Sequence, residues 1–202
     1  MDKKTIFVGL GSFALIAIVA VAMLLFAKPA SFRGTTYVEP YPVAPEIELT
    51  RSDGGRFRLG ELRGDVVLLF FGYTACPDVC PTTLAELKLA LSKLKEDDAA
   101  RVKVLLVTVD PLRDTPARVQ EYVDHFNPAF IGLSGPQADL EKVWQAYGIF
   151  REDVQEPSAA GDIINHTARV TLIDQQGNMR VSFGLDTPVD DIVHDLELIL
   201  KN

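Results

Sequence analysis

The chain has 202 residues, with 28 Asp and Glu against 20 Lys and Arg and a formal net charge of −8. That acidic balance argues against nucleic-acid binding and favours partners that are basic or uncharged. Only two cysteines and three histidines occur, so thiol chemistry is confined to one possible pair inside what reads as a single globular domain.

Thr5 to Ala27 contains no charged side chain, and as a helix it would extend about 35 Å, enough to cross a hydrocarbon core of about 30 Å. Residues 1–28 are therefore expected to form a short tail and a single transmembrane helix anchored in a membrane. A cleavable signal peptide is the alternative, but its apolar core is usually about 7–15 residues. Lys3 and Lys4 ahead of the apolar run place the N-terminus in the cytoplasm and the rest of the chain outside, in a bacterial periplasm. Residues 29–45 hold four prolines and are expected to be a semi-extended tether, Lys28 to Pro45 reaching at most roughly 55 Å. Residues 46–202 are assigned to the folded domain.

That domain opens with an expected β-hairpin: Ile47 and Leu49 alternate with polar residues, Asp53-Gly54-Gly55 supplies the turn, and Phe57 and Leu59 resume the alternation. Val66 to Phe71 reads as a buried strand and runs directly into Cys76-Pro77-Asp78-Val79-Cys80. A helix follows, with Leu84, Leu87, Leu91 and Leu94 on one face, and the charges Lys95 to Asp98 are expected to end it. Val102 to Val109 is a second buried strand, rich in β-branched residues. Thr115-Pro116 then supplies a cap and a first helical residue for a helix with Val119, Tyr122, Val123 and Phe126 inward. Phe130 to Leu133 is a short strand, and Pro136 opens a helix carrying Leu140, Val143, Trp144 and Tyr147. Residues 151–165 are polar and turn-rich, an expected loop. Ala168 to Ile173 and Met179 to Phe183 form two strands, and Thr187-Pro188 begins a last helix. Alternating β and α units, then a hairpin and a terminal helix, predict an α/β, thioredoxin-like fold with an N-terminal hairpin.

The cysteines mark the chemistry. Pro81 disfavours a helix interior, so the helix is expected to begin near Cys80, placing that thiol at a positive dipole end. Such a dithiol either binds a soft metal or cycles between dithiol and disulfide. Redox enzymes of this fold typically place two residues between the cysteines, whereas three stand here. A purely structural disulfide would close too small a loop to stabilise much. His125 and His194 read as solvated helix residues. His166 differs, standing at the entry to a strand on the sheet edge where the cysteine loop is also expected, and its position alone leaves open a ligand or a satisfied structural histidine.

Several segments together carry a resemblance: Phe71-Gly72-Tyr73-Thr74-Ala75-Cys76-Pro77-Asp78-Val79-Cys80-Pro81, Val109-Asp110-Pro111-Leu112-Arg113-Asp114-Thr115-Pro116, Gly132-Leu133-Ser134-Gly135 and Asn165-His166-Thr167. In this order they are similar to the Sco/SenC family, over roughly residues 45–200. The resemblance implies a membrane-tethered copper metallochaperone that serves the CuA-bearing subunit of cytochrome c oxidase. Cys76, Cys80 and His166 would be its copper ligands, for Cu(I) and also Cu(II). It implies a carrier rather than an enzyme, kept reduced by an extracytoplasmic thiol reductase. The alternative is a thiol-disulfide oxidoreductase acting on the copper-ligand cysteines of an oxidase subunit, with Cys76 attacking and Cys80 resolving. A peroxidase or a copper- or redox-sensing module is also compatible with the fold. One position departs from the family: Asn165 stands where Asp is usual, which removes a carboxylate beside the histidine. Asp110 and Asp114 are expected to serve the turn and the helix start, with a supporting or docking role open.

Overall fold

Seven consecutive buried residues, Val66–Gly72, form β4 at the centre of the domain. The computed structural model describes residues 31–154 and 163–201. The proposed anchor, Thr5 to Ala27, lies outside them. Among the described residues no helix is long and apolar enough to cross a membrane.

In chain order the elements are β1 (Thr35–Thr36), the hairpin strands β2 (Glu48–Thr50) and β3 (Arg56–Arg58), and β4. Then come α1 (Val79–Lys93), α2 (Glu96–Ala100), β5 (Val102–Thr108), α3 (Pro116–Asp124), β6 (Ile131–Leu133) and α4 (Gln137–Ala146). β7 (Arg151–Val154), β8 (Ile163–His166), β9 (Val170–Ile173), β10 (Met179–Phe183) and α5 (Val189–Leu200) complete the chain. The main sheet runs β1-β10-β9-β4-β5-β6. β4, β5 and β6 are parallel, and β9 adds to β4 antiparallel. A strand paired on both edges and covered on both faces has to be apolar throughout, which is why Val66 to Phe71 shows no alternation. The predicted hairpin forms, with Leu49 opposite Phe57 and Ile47 and Phe57 fully buried.

α3 begins as its sequence dictates: Thr115 Oγ1 accepts the Arg118 N–H at 3.2 Å, ahead of Pro116 at the first helical position. The helix crosses β6 so closely that a Cβ on Gly132 would lie 2.6 Å from the Val119 carbonyl carbon. Gln120 fills the seam, accepting the Gly132 N–H and donating to the Phe130 carbonyl.

Several expectations change. Glu96, Asp97 and Asp98 do not merely end α1; they form the first turn of α2, where acidic side chains offset the positive end of a helix. Residues 151–165 include two strands, since β7 and β8 form an antiparallel ribbon with Arg151 opposite His166. This ribbon lies outside the main sheet and has one buried side chain, Ile164, so it leaves almost no hydrophobic alternation to read. The Pro-rich segment is not a free tether over its length. β1 pairs with β10, Val43 bridges Asn178, and the Met179 N–H donates to the Pro42 carbonyl.

The lead-in to β1 is held by Asp195 of α5, whose buried carboxylate accepts the N–H groups of Arg33 and Gly34 at 2.8 and 2.9 Å. His194 is accordingly not a solvated helix residue; it is half-buried, with Nδ1 3.0 Å from the same carboxylate. Asp195→Ala would strand two backbone donors and is expected to cost about 1–3 kcal/mol of stability. Faster amide exchange at Gly34 to Thr36, together with a lower urea midpoint, is the result to look for.

Candidate metal centre

Parallel strands β4 and β5 end at the same edge of the sheet, and the loops that follow them carry the chemistry. The loop after β4 holds Tyr73 to Asp78, and the loop after β5 holds Asp110 to Asp114. Gly72 closes β4 without a side chain for a local reason: a Cβ there would lie 2.9 Å from Cys80 Sγ. The buried sulfur therefore rests against the end of the central strand.

Both cysteines are free thiols, Cys76 half-buried and Cys80 with 0% exposure. α1 starts at Val79, and its first turn acts on the outer sulfur, since the Cys80 N–H points at Cys76 Sγ across 3.4 Å. The dipole effect expected at Cys80 thus falls on Cys76. The Cys80 thiol, hydrogen-bonded to Cys76, holds the Cys76 pKa far below that of an ordinary thiol; the His166 side chain and the Asp78 and Cys80 backbones add to this against the opposing cost of burial. The same sulfur–sulfur hydrogen bond, with burial, drives the Cys80 pKa in the opposite direction. The two sulfurs are thus driven in opposite directions, the outer one toward the thiolate and the inner one toward the thiol.

His166 ends β8. Its Nδ1 lies 3.1 Å from the Thr167 carbonyl oxygen, which can only accept, so Nδ1 carries the proton and Nε2 is the nitrogen available to a ligand. Cys76 and His166 line one open cleft of about 250 Å³, together with Tyr73, Val79, Ile163 and Leu185. Among the described residues no three His, Cys, Asp or Glu side chains stand close enough to hold a metal ion as they are. The donor types nevertheless fit a thiophilic ion, two sulfurs and one imidazole being a set suited to Cu(I). His125 is exposed on α3, its Nδ1 2.6 Å from the Glu121 carbonyl, and takes no part in the cleft. Asn165 is exposed at the cleft rim and sits opposite Glu152 in the ribbon.

Tyr73 escaped sequence reasoning. Its ring packs edge-on to His166 at 5.8 Å between centroids, and its hydroxyl accepts the Ile164 N–H at 3.3 Å. It thereby links the cysteine loop to the strand that carries the histidine, and burial pushes its phenol pKa up, keeping it neutral. The available signal was its position, an aromatic residue between the buried strand and the cysteines.

A thioredoxin-like α/β domain bearing a C-x3-C dithiol at the sheet edge, with a histidine across the cleft, is the class these features define. The SCO1/SenC family model matches residues 35–201, and the chain belongs to that family. It is 37% identical to the apo Sco1 protein of Thermus thermophilus, with 84% of this chain and 97% of that one covered at a TM-score of 0.75. Copper-bound ScoI of Bradyrhizobium japonicum is 34% identical, covering 78% and 99% at a TM-score of 0.69. An SCO2-like protein of Rickettsia felis is 32% identical over 174 residues, 84% of this chain and 83% of its own length.

The unequal thiols give a direct test. Limiting iodoacetamide at about pH 6 should alkylate Cys76 and spare Cys80, because the thiolate is the nucleophile and Cys76 has both the lowered pKa and the reachable sulfur. Fragment mass spectrometry of the modified peptide reads the site of attachment, and label on Cys80 would overturn the assignment.

Proposed function

We propose that this chain is a copper carrier for the assembly of cytochrome c oxidase, held at a membrane by its N-terminal apolar segment. Cys76 and Cys80 bind the ion as thiolates, His166 supplies the nitrogen, and the recipient is the CuA-bearing oxidase subunit. The observation that carries this reading is the meeting of Cys76 and His166 in one cleft, with Cys80 directly behind Cys76. Support comes from relatives solved with copper bound, from Bradyrhizobium japonicum and, at 30% identity and a TM-score of 0.73, from Arabidopsis thaliana. Copper is cargo here: it enters by displacing thiol protons and leaves by exchange with donor groups of the recipient.

A second reading rests on the same pair. A half-exposed Cys76 with its pKa lowered, in front of a buried Cys80 with its pKa raised, is also the arrangement of an attacking and a resolving thiol. Such an oxidoreductase would reduce a partner disulfide by forming a mixed disulfide at Cys76, which Cys80 then displaces. His166 discriminates the two, since copper binding needs its nitrogen and disulfide exchange does not.

Anaerobic titration of the reduced full chain should show one equivalent of Cu(I) bound. His166→Ala should weaken retention by about tenfold or more while leaving the fold intact, since it removes one of three ligands. His125→Ala is the matched control and should match the wild type. Equal retention in the wild type and the His166 variant, with competent disulfide reduction by both, would replace the carrier by the oxidoreductase.

Loading should also depend on redox state. A Cys76–Cys80 disulfide has no thiolate to offer, and two electrons and two protons from an extracytoplasmic thiol reductase must first restore the dithiol. The oxidised protein is expected to remain copper-free under the conditions that load the reduced one, as measured by metal analysis after desalting. Equal uptake by both forms would remove the thiolates from the site.

A further inference from the structure

The side chain of Asp114 is fully buried, and its hydrogen bonds do not serve the start of α3, which Thr115 caps by itself. They run instead to the cysteine loop and to β5. Oδ2 accepts the Thr74 N–H at 3.0 Å and the Thr108 hydroxyl at 2.7 Å, and Oδ1 accepts the Thr74 hydroxyl at 2.5 Å. Arg118 closes the group, donating from Nε to Thr74 Oγ1 at 3.0 Å and standing 3.9 Å from Oδ1. Two of these bonds to the carboxylate therefore come from one residue, two positions before Cys76.

We propose that Asp114 is a positioning residue for the metal site, its buried carboxylate clamping Thr74 so that Cys76 is held over the N-terminus of α1 and toward His166. The physical basis is the cost of burying a carboxyl group, which is tolerable only while its hydrogen bonds are made. If the loop drifts by the length of a hydrogen bond, the Thr74 N–H and hydroxyl leave together, and a buried polar group loses most of its hydrogen-bond donors. The carboxylate therefore converts its own burial into a restoring force on the loop. Thr108 and Arg118 hold the clamp from the other side, from the end of β5 and the first turn of α3. The residues involved lie in separate sequence segments, so their joint action is invisible until the fold brings them together.

This inference rests on the reading of Cys76, Cys80 and His166 as the copper ligands, so its test has one arm with copper and one without. Asp114→Asn keeps the shape but replaces one acceptor oxygen with a donor, and Thr74→Val removes one hydroxyl while leaving the backbone bond. Ser134→Ala is the control: Ser134 Oγ donates to the Asp114 carbonyl at 2.5 Å, so its loss perturbs the same corner without touching the carboxylate.

In the metal-free full chain, both clamp variants should speed amide exchange at Thr74 to Cys76 and leave the interior of α1 unchanged. In the loaded chain, they should lose Cu(I) affinity by about 10- to 100-fold against a competing chelator, the range typical of groups that orient metal ligands. They should also shift the thiolate-to-metal absorption of the Cu(II) form. The control should keep wild-type loop exchange, affinity and spectrum. Wild-type values in both clamp variants, or an equal loss in Ser134→Ala, would overturn the proposal. Should Asp114→Asn fail to fold, Thr74→Val decides. If the wild type binds no Cu(I), the copper reading fails while the exchange arm still decides the positioning role.

Discussion

The parallel pairing of β4 with β5 is the constraint on which the rest of the domain depends. Its register runs unbroken from Val66 opposite Val102 to Gly72 opposite Thr108, so the two strands end level with one another. Two loops then emerge side by side, one with the cysteines and one with Asp110 and Asp114. Burial of both strands fixes this register, because each side chain has a place in the core. A slip of one residue would turn every side chain to the opposite face and would part Thr74 from Asp114.

On that platform the two thiols are made chemically different by position alone. The inner sulfur sits against Gly72 with no access to water, and the outer one takes the N–H of the helix start. Tyr73 and Arg113 complete the neighbourhood, the guanidinium lying 5.7 Å from the tyrosine ring and ion-paired with Asp110. Three elements distant in sequence thus meet around one side chain, Tyr73, which also reaches the β8 backbone.

Much of this was legible in the sequence because the signals were local. The continuous apolar run of β4, the Thr115-Pro116 cap and the leucine spacing of α1 each specify their element without help from elsewhere. Recognition of the motif segments brought Cys76, Cys80 and His166 forward together; the residues alone left metal binding and redox cycling both open, with only the three-residue spacing setting the pair apart from the usual redox motif. What stayed hidden was non-local. The β7–β8 ribbon buries only Ile164, so it has no pattern to detect, and the Pro-rich lead-in looked free because its partners, Asp195 and β10, lie more than a hundred residues away. His194 was misread for the same reason, its neighbour Asp195 being a buried carboxylate rather than a surface one.

The depth difference between the two sulfurs has a consequence for any exchange of cargo at this site. Among the described residues, Cys76 and His166 line the open cleft, and Cys80 lies buried behind them. In the proposed transfer, replacement would then proceed from the outside inward, with the inner sulfur the last contact to break. For the carrier proposed above, such an order would keep the ion bound to at least one protein at every moment of transfer, so that it would pass on without entering solution.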